Sequence, residues 1–379
     1  MAGTGRARQW IRRAGIAGTA AALVVSALAT AASGATATRQ TGVAVGEAHQ
    51  CALSATGVVK CWGRNGEGQV GNGDATGAFV PKPVTVLTGA AGISTGDDHT
   101  CAVMHDATVK CWGRNDAGEI GNGGRTDAIK PTTVKGVGGT GVLNGVDIVV
   151  AGGDHTCALM KNKTVKCWGQ NNEGVLGNGT IKNALTPVSV TGLQRVTTLT
   201  LSAQVACASL QAGTVKCWGY TGDGELGVGP GQETCEFGEF SHSCARTPTT
   251  VKGVSNAIAV SAGQNHVCAL LKNAQVECWG NSSTTPVIVR GLSAVEQIAT
   301  NGLDGNDKSR ALLKNGTVKY FPYDSKQHAP LPTAVGGIAT ASFIAIGGST
   351  DCAVLTAGTV KCWGDNGTTA TTPVIIQGL

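Results

Sequence analysis

The sequence predicts an all-β fold, a seven-bladed β-propeller with four-stranded antiparallel blades, and three observations predict it. One phrase recurs seven times along the 379 residues; its clearest copy, HTCALMKNKTVKCWGQNNEGVLGNG, runs from His155 to Gly179. A repeat of this length fixes the architecture before any local assignment. Apolar residues come in short runs bounded by Gly, Asn or Pro, and no helical period appears. Gly is abundant, at 57 residues, while aromatic residues make up only 4% and charged residues 14%, as expected of many short strands joined by tight turns.

Each unit reads as about four strands, the content of one propeller blade. In the third copy, Val146 to Ala151 is a mostly apolar run, Cys157 to Met160 a short strand, and Lys161 to Lys163 a turn. Val165 to Trp168 returns antiparallel, a glycine-rich loop covers Gly169 to Gly179, and Pro187 to Val190 is the last apolar stretch. Six copies carry cysteines at the same two places: Cys51 and Cys61, Cys101 and Cys111, Cys157 and Cys167, Cys207 and Cys217, Cys268 and Cys278, Cys352 and Cys362. The remaining copy, KSRALLKNGTVKYFPYD, has Arg310 and Tyr320 there. That joint loss indicates that the two positions bond to each other. A hairpin turning midway between them places them face to face, about 4.5 Å apart at Cα, within reach of a disulfide. Zinc is the alternative, but structural zinc sites use closer spacings such as C-x₂-C.

The fourth unit carries an insertion, Gly219 to Arg246, which Cys235 and Cys244 are expected to staple. A solenoid is the rival architecture, and it needs polar capping repeats that are not seen. The repeats begin at Val43 partway through a unit and end with Pro373 to Leu379. The two ends complement each other, so the N- and C-terminal strands are expected to share one blade and close the ring. The propeller is expected to span residues 41–379 as a single domain and to be a monomer.

Residues 1–37 read as a secretory signal peptide. Arg6, Arg8, Arg12 and Arg13 precede an apolar run from Ala14 to Ala32, and small residues follow that suit cleavage after Ala31 or Ala37. A membrane anchor is the alternative, but the run is mostly alanine and falls short of the ~20 strongly apolar residues a span needs. No membrane span is expected once the signal is removed. Taking those four arginines from the 29 basic residues leaves 25 against 24 acidic ones. Such a balance gives no electrostatic footprint for nucleic acid. Export to the medium or cell surface favours disulfides over metal thiolates for the 14 cysteines.

Trp62, Trp112, Trp168, Trp218, Trp279 and Trp363 each follow the second cysteine, and Phe321 follows Tyr320 in the degenerate copy. Neighbours in a strand alternate faces, so the Trp should point away from the disulfide and fill the gap to the adjacent blade. The phrase C-W-G-x-N-x-x-G-x-x-G-N-G at Cys61 to Gly73, Cys111 to Gly123 and Cys167 to Gly179, with H-x-C-A-L before it, resembles the regulator of chromosome condensation repeat. The resemblance covers nearly everything after residue 40 and implies a seven-bladed propeller. Nuclear members of that family are nucleotide-exchange factors for a small GTPase. Secreted bacterial relatives include β-lactamase inhibitor protein II, which binds its target with one face of the ring. The cysteine pairs and the signal peptide depart from the nuclear pattern.

Candidate sites are few. His49, His99, His155 and His266 share one place in the repeat, but Val205, Lys308 and Thr350 interrupt the ring, so structural hydrogen bonding is expected in place of metal binding. No nucleophile, metalloprotease or phosphate-loop motif appears, so no catalytic residue and no cofactor are expected. Asp97, Asp98 and Asp116 read as isolated loop acids. The Asn- and Gly-rich loops lack calcium-loop spacing and read as turn chemistry. Units one to four have long loops after Trp-Gly and units five to seven short ones, so one side of a face should stand high. In a chain this poor in Phe and Tyr, the clusters Tyr220, Phe237, Phe240 and Tyr320, Tyr323 are the candidate partner-binding residues, since aromatics anchor interfaces. The expected function is an exported, non-enzymatic protein-binding module with an unidentified protein partner. Exchange-factor activity and β-lactamase inhibition are the alternatives the resemblance supplies.

Overall fold

The computed structural model describes residues 40–75, 78–83, 87–228, 233–237, 240–301, 308–323, 330–348, 350–364, 370–377 and 379. The expected signal peptide lies outside them. Seven antiparallel sheets follow one another along the chain. Blade one runs from Gln40 to Pro83, blade two from Ala90 to Thr133 and blade three from Val146 to Ser189. Blade four runs from Val196 to Thr250, blade five from Ala257 to Ile288, blade six from Val295 to Ala334 and blade seven from Ala341 to Ile375. Six sheets have four strands in chain order; blade four adds a fifth, Glu233–Phe237, which pairs with the long strand Phe240–Thr250. A 3-10 turn at Val137–Gly139 is the only helical element among the described residues. None of these residues forms a helix long and apolar enough to cross a membrane.

In blade three the strands are Val146–Ala151, His155–Met160, Val165–Gly169 and Ala184–Ser189, close to the runs read from the sequence. The second and third strands form the hairpin that pairs the cysteines: Cys157 faces Cys167, and the same register holds in the five other copies. Six disulfides clasp these hairpins at Cα separations of 4.0–4.1 Å. A seventh joins Cys235 to Cys244 across the inserted hairpin, at 5.8 Å. No cysteine is free. In blade six, Arg310 faces Tyr320 in the register a disulfide would occupy.

The first strand of each blade lines a central channel, with Val43, Ile93, Val150, Leu201, Ala262, Ala299 and Ala345 among the lining residues. The third strand shifts register against the fourth between Cys and Gly, so the intervening Trp sits at a β-bulge. The bulge turns the indole toward the preceding blade, where Trp112, Trp168, Trp218 and Trp279 are wholly buried. The apolar side chains fill the gaps between neighbouring blades. One cluster joins Val150 and Leu159 of blade three to Leu199 and Val205 of blade four.

The ring closes differently from the expectation. The strands at the two ends of the chain belong to different sheets, so no blade is shared between them. Ala78–Pro83 completes blade one and Ala370–Ile375 completes blade seven, so each blade satisfies its hydrogen bonds from its own stretch of chain. The seam is made by packing: Val43, Val45 and Trp62 of blade one bury against Ala345 and Val354 of blade seven. A backbone bond from Gly348 N to Gly46 O at 3.2 Å also crosses it.

Candidate binding face

Because the strands alternate in direction, the turn between first and second strands and the loop between third and fourth emerge on the same face of the ring. The repeat motif explains how that face is built. The glycine after each Trp has a left-handed backbone; at Gly113, φ is 103° and an added Cβ would lie 2.4 Å from the carbonyl of Asp98. Gly121 is the seat for the next blade's indole, since a Cβ there would lie 2.8 Å from Trp168 Nε1. Each buried indole donates to a carbonyl of the preceding loop: Trp112 to Gln69 at 2.9 Å, Trp168 to Glu119 at 2.7 Å, Trp218 to Val175 at 2.7 Å and Trp279 to Glu225 at 2.6 Å. The motif asparagine holds the loop from within. Asn65, Asn115 and Asn171 Oδ1 accept from the amides of Val70, Ile120 and Leu176, which is the turn chemistry expected of them.

The four histidines are buried beneath this face. His49 Nε2 meets the Thr100 hydroxyl at 2.9 Å, His99 the Thr156 hydroxyl at 2.9 Å, and His266 the Ser309 hydroxyl at 2.8 Å. These are clasps between adjacent blades. No group of His, Cys, Asp or Glu among the described residues is arranged to hold a metal ion. Burial is the main cause of the low pKa values of three imidazoles, about 4 for His49, about 3 for His99 and about 4 for His155.

Blades one to three carry an ionic seam. Arg64 lies 3.8 Å from Asp98 of the next blade; Arg114 lies 2.7 Å from Asp116 and 3.5 Å from Asp154 of the next blade. Asp97, Asp98 and Asp116 are therefore not the isolated loop acids expected from the sequence: the ring curvature gathers them with Asp154 and Glu119. Burial first, and then Asp154, Glu47 and Asp98, push Asp97 up to about 7. Burial likewise pushes Glu119 up to about 8 and Glu225 up to about 8.

The seam stops at blade four. The place held by Arg64 and Arg114 is taken by Gln170 and then Tyr220; the place held by Asp98 and Asp154 is taken by Gln204 and then Asn265. A recess of about 400 Å³ opens there, lined by Glu173, Tyr220, Asp223 and His242 together with side-chain amides. His242 comes from the inserted hairpin, and its Nε2 lies against the Glu173 carboxyl group of blade three. The Tyr220 and His242 rings lie 5.8 Å apart, tilted by 50°. Burial is the main cause of a raised pKa for Glu173 and for Tyr220.

The structure separates the aromatic candidates. Tyr220 lines the recess. Phe237 and Phe240 are backbone partners beside the tip of the inserted hairpin. Tyr323, 6% exposed, stacks on His266 at 5.5 Å, and Tyr320 lies under the Arg310 guanidinium at 4.7 Å. Tyr323 thus packs on a buried histidine of the neighbouring blade, while Tyr320, half-buried, packs against Arg310 of its own blade. Glu173, His242, Gln204 and Asn265 were not singled out by sequence reasoning. The signal available was the replacement of Arg and Asp at aligned positions of the repeat.

Comparisons with known proteins agree with this architecture. Two models described as the regulator of chromosome condensation (RCC1) repeat match the chain. One matches residues 41–69, 91–119, 146–175 and 257–284; the other matches 56–103, 107–159, 165–209 and 212–270, more than half of the chain. No match was found among curated proteins. Among solved structures, yeast RCC1 (Prp20) bound to Kap60 is similar at a TM-score of 0.68 and 20% identity, over 84% of this chain and 83% of that one. Human WBSCR16 gives a TM-score of 0.68 at 18% identity, over 84% and 94%. The CRINKLY ectodomain of the Arabidopsis thaliana receptor kinase ACR4 gives 0.51 at 19% identity, over 90% and 99%. The repeat matches, together with seven blades built on the Trp-Gly motif, place this chain in the regulator of chromosome condensation repeat family.

Proposed function

We propose that this protein is exported and works, as a single ring, as a non-catalytic protein-binding module whose partner meets the loop-bearing face at blades three to five. The observation that carries the reading is the inserted hairpin. Blade four alone among the described blades gains a fifth strand, and the hairpin is stapled by Cys235–Cys244 and tied to blade three through His242 and Glu173. A recognition arm fixed in this way loses less entropy on binding than a free loop, and Phe237 and Phe240, backbone partners within it, are its proposed hydrophobic anchors. Export is supported by the composition of residues 1–37 and by seven intrachain disulfides, which persist in oxidising compartments. The fold hosts protein contacts elsewhere, since yeast RCC1 is bound by Kap60. Nucleotide exchange on a small GTPase is the alternative, and it would place these disulfides in a reducing compartment.

The test is quantitative capture of extracellular and cell-surface proteins from the native host by immobilised wild-type protein and by the Phe237→Ala/Phe240→Ala variant. The expected result is a specific captured protein that the variant loses while its melting temperature stays unchanged. Equal capture by both, or a variant that loses stability and keeps its partner, refutes the assignment of the hairpin.

A further inference from the structure

We infer that the recess between blades three, four and five is a binding site for a neutral, hydroxyl-rich ligand, a carbohydrate. The inference does not rest on the protein-binding reading, because it concerns the floor of the face and not the tip of the hairpin.

The recess differs in kind from the surfaces around it. At the equivalent positions of blades one to three, Arg64–Asp98 and Arg114–Asp154 close the gap between neighbouring loops. Here the substitutions to Gln204, Tyr220 and Asn265 remove both members of the pair, and the gap stays open at about 400 Å³, within the usual range of small-ligand pockets. The side-chain amides of Asn172, Gln204, Gln264 and Asn265 line it, each half-buried, and among the described residues none of the four makes a hydrogen bond. A half-buried amide that faces an open recess and is not tied up by the protein is free to hydrogen-bond a ligand there in place of solvent.

The chemistry selects the ligand class. A hydroxyl donates and accepts at once, and a side-chain amide offers one group of each kind, so four amides match a ligand dense in hydroxyls. The Asp223 carboxylate accepts from two neighbouring hydroxyls. The electron-rich face of the Tyr220 ring suits the polarised C–H groups of a pyranose. An anion is disfavoured because neither Lys nor Arg lines the recess, and a lipid or apolar peptide because no aliphatic side chain does. A cation would find only the Asp223 carboxylate free of a neighbouring ring nitrogen, since the Glu173 carboxyl group lies against His242. The walls of the site are packed: His242 lies against the Glu173 carboxyl group, and the Tyr220 amide is bonded to the Gln204 carbonyl at 2.9 Å. Gly222 lets the Tyr220 hydroxyl lie against the backbone, where an added Cβ would fall 1.9 Å from it.

The experiment is saturation-transfer NMR on the oxidised full chain. The probes are the methyl glycosides of glucose, galactose, mannose and N-acetylglucosamine, with maltotriose and chitotriose as longer forms and spermidine as the cationic control. The expected result is saturable binding of at least one sugar. Its affinity should fall at least tenfold in Gly222→Ala, which displaces the Tyr220 ring, and in Gln204→Ala/Asn265→Ala. It should be unchanged in Phe237→Ala/Phe240→Ala, which separates this site from the proposed protein contact. Asn172→Ala serves as a further variant if either of the first two lowers the melting temperature. No saturable sugar binding, binding indifferent to these variants, or spermidine displacing the sugars each overturns the proposal.

Discussion

His49, His99 and His266 each reach a hydroxyl of the following blade, but at the place of Thr100, Thr156 and Ser309 His155 meets Ala206, and both of its ring nitrogens are buried without a partner among the described residues. Thr156 shows what is missing: its hydroxyl contacts His99 and donates to the Glu119 carbonyl. Ala206→Thr should therefore add the missing clasp and stabilise the fold by about 1 kcal/mol, read as a raised denaturant midpoint. A lowered midpoint would mean that the added atoms overpack the site. The same buried layer sets a pH dependence. The imidazoles of His49, His99 and His155 have folded values of about 4, 3 and 4, below their ordinary 6.5, so the stability they favour is full above 6.5 and is lost as pH falls through that interval. Glu119 and Glu225, raised from 4.5 to about 8, act in the opposite sense: their contribution is full below 4.5 and is lost as pH rises toward 8. Between pH 6.5 and 8 the acids dominate, so the denaturant midpoint should fall across that window. The fall should be smaller in Glu119→Gln/Glu225→Gln; an unchanged slope would contradict the assignment. That the aligned histidines form structural hydrogen bonds was legible in the sequence, but the hydroxyl facing each one, some 43 to 57 residues away, and the one missing at His155 were not.

At the scale of the element, blade six shows how a hairpin holds without its disulfide. Arg310 stands at the first cysteine position, lies over Tyr320 at the second, and donates to Asp351 of blade seven, so a covalent clasp within one blade is replaced by an ion pair between two. Both partners are nearly buried, with side chains 10% and 5% exposed. Arg310→Met keeps most of the volume but takes the guanidinium from a buried carboxylate, and should cost about 3–5 kcal/mol. A loss under about 1 kcal/mol would show that the pair contributes little. The cysteine register was legible because strand positions alternate faces and a fixed hairpin brings residues ten apart together; the joint replacement at Arg310 and Tyr320 pointed the same way. The role of Arg310 was hidden because Asp351 belongs to the next blade. The recess was hidden for the same reason: Glu173, Gln204, His242 and Asn265 come from three blades and meet only once the ring is curved. Tyr220 could be picked out because the chain has so few aromatics, yet Tyr323, at the aligned position of blade six, turns inward onto His266.

For the whole molecule, the seven-fold count followed from the repeat, whereas the manner of closure did not. The chain begins and ends in segments that look incomplete as units, but each terminal blade has all four strands and the seam rests on side-chain packing. Stability is therefore spread over seven interfaces between blades, and the sulfur bridges act within blades, each closing a short loop that in the chain-entropy model contributes on the order of 2–3 kcal/mol. Such a ring suits the exterior of a cell. The loop-bearing face carries an ionic seam on one side and a polar recess under a stapled arm on the other. The measurement that tests this account most directly is a map of linked cysteine peptides from unreduced protein recovered from the medium or surface of its own host. The account predicts a chain starting after Ala31 or Ala37, linked as 51–61, 101–111, 157–167, 207–217, 235–244, 268–278 and 352–362. A full-length cytoplasmic protein carrying free thiols at these positions would contradict it.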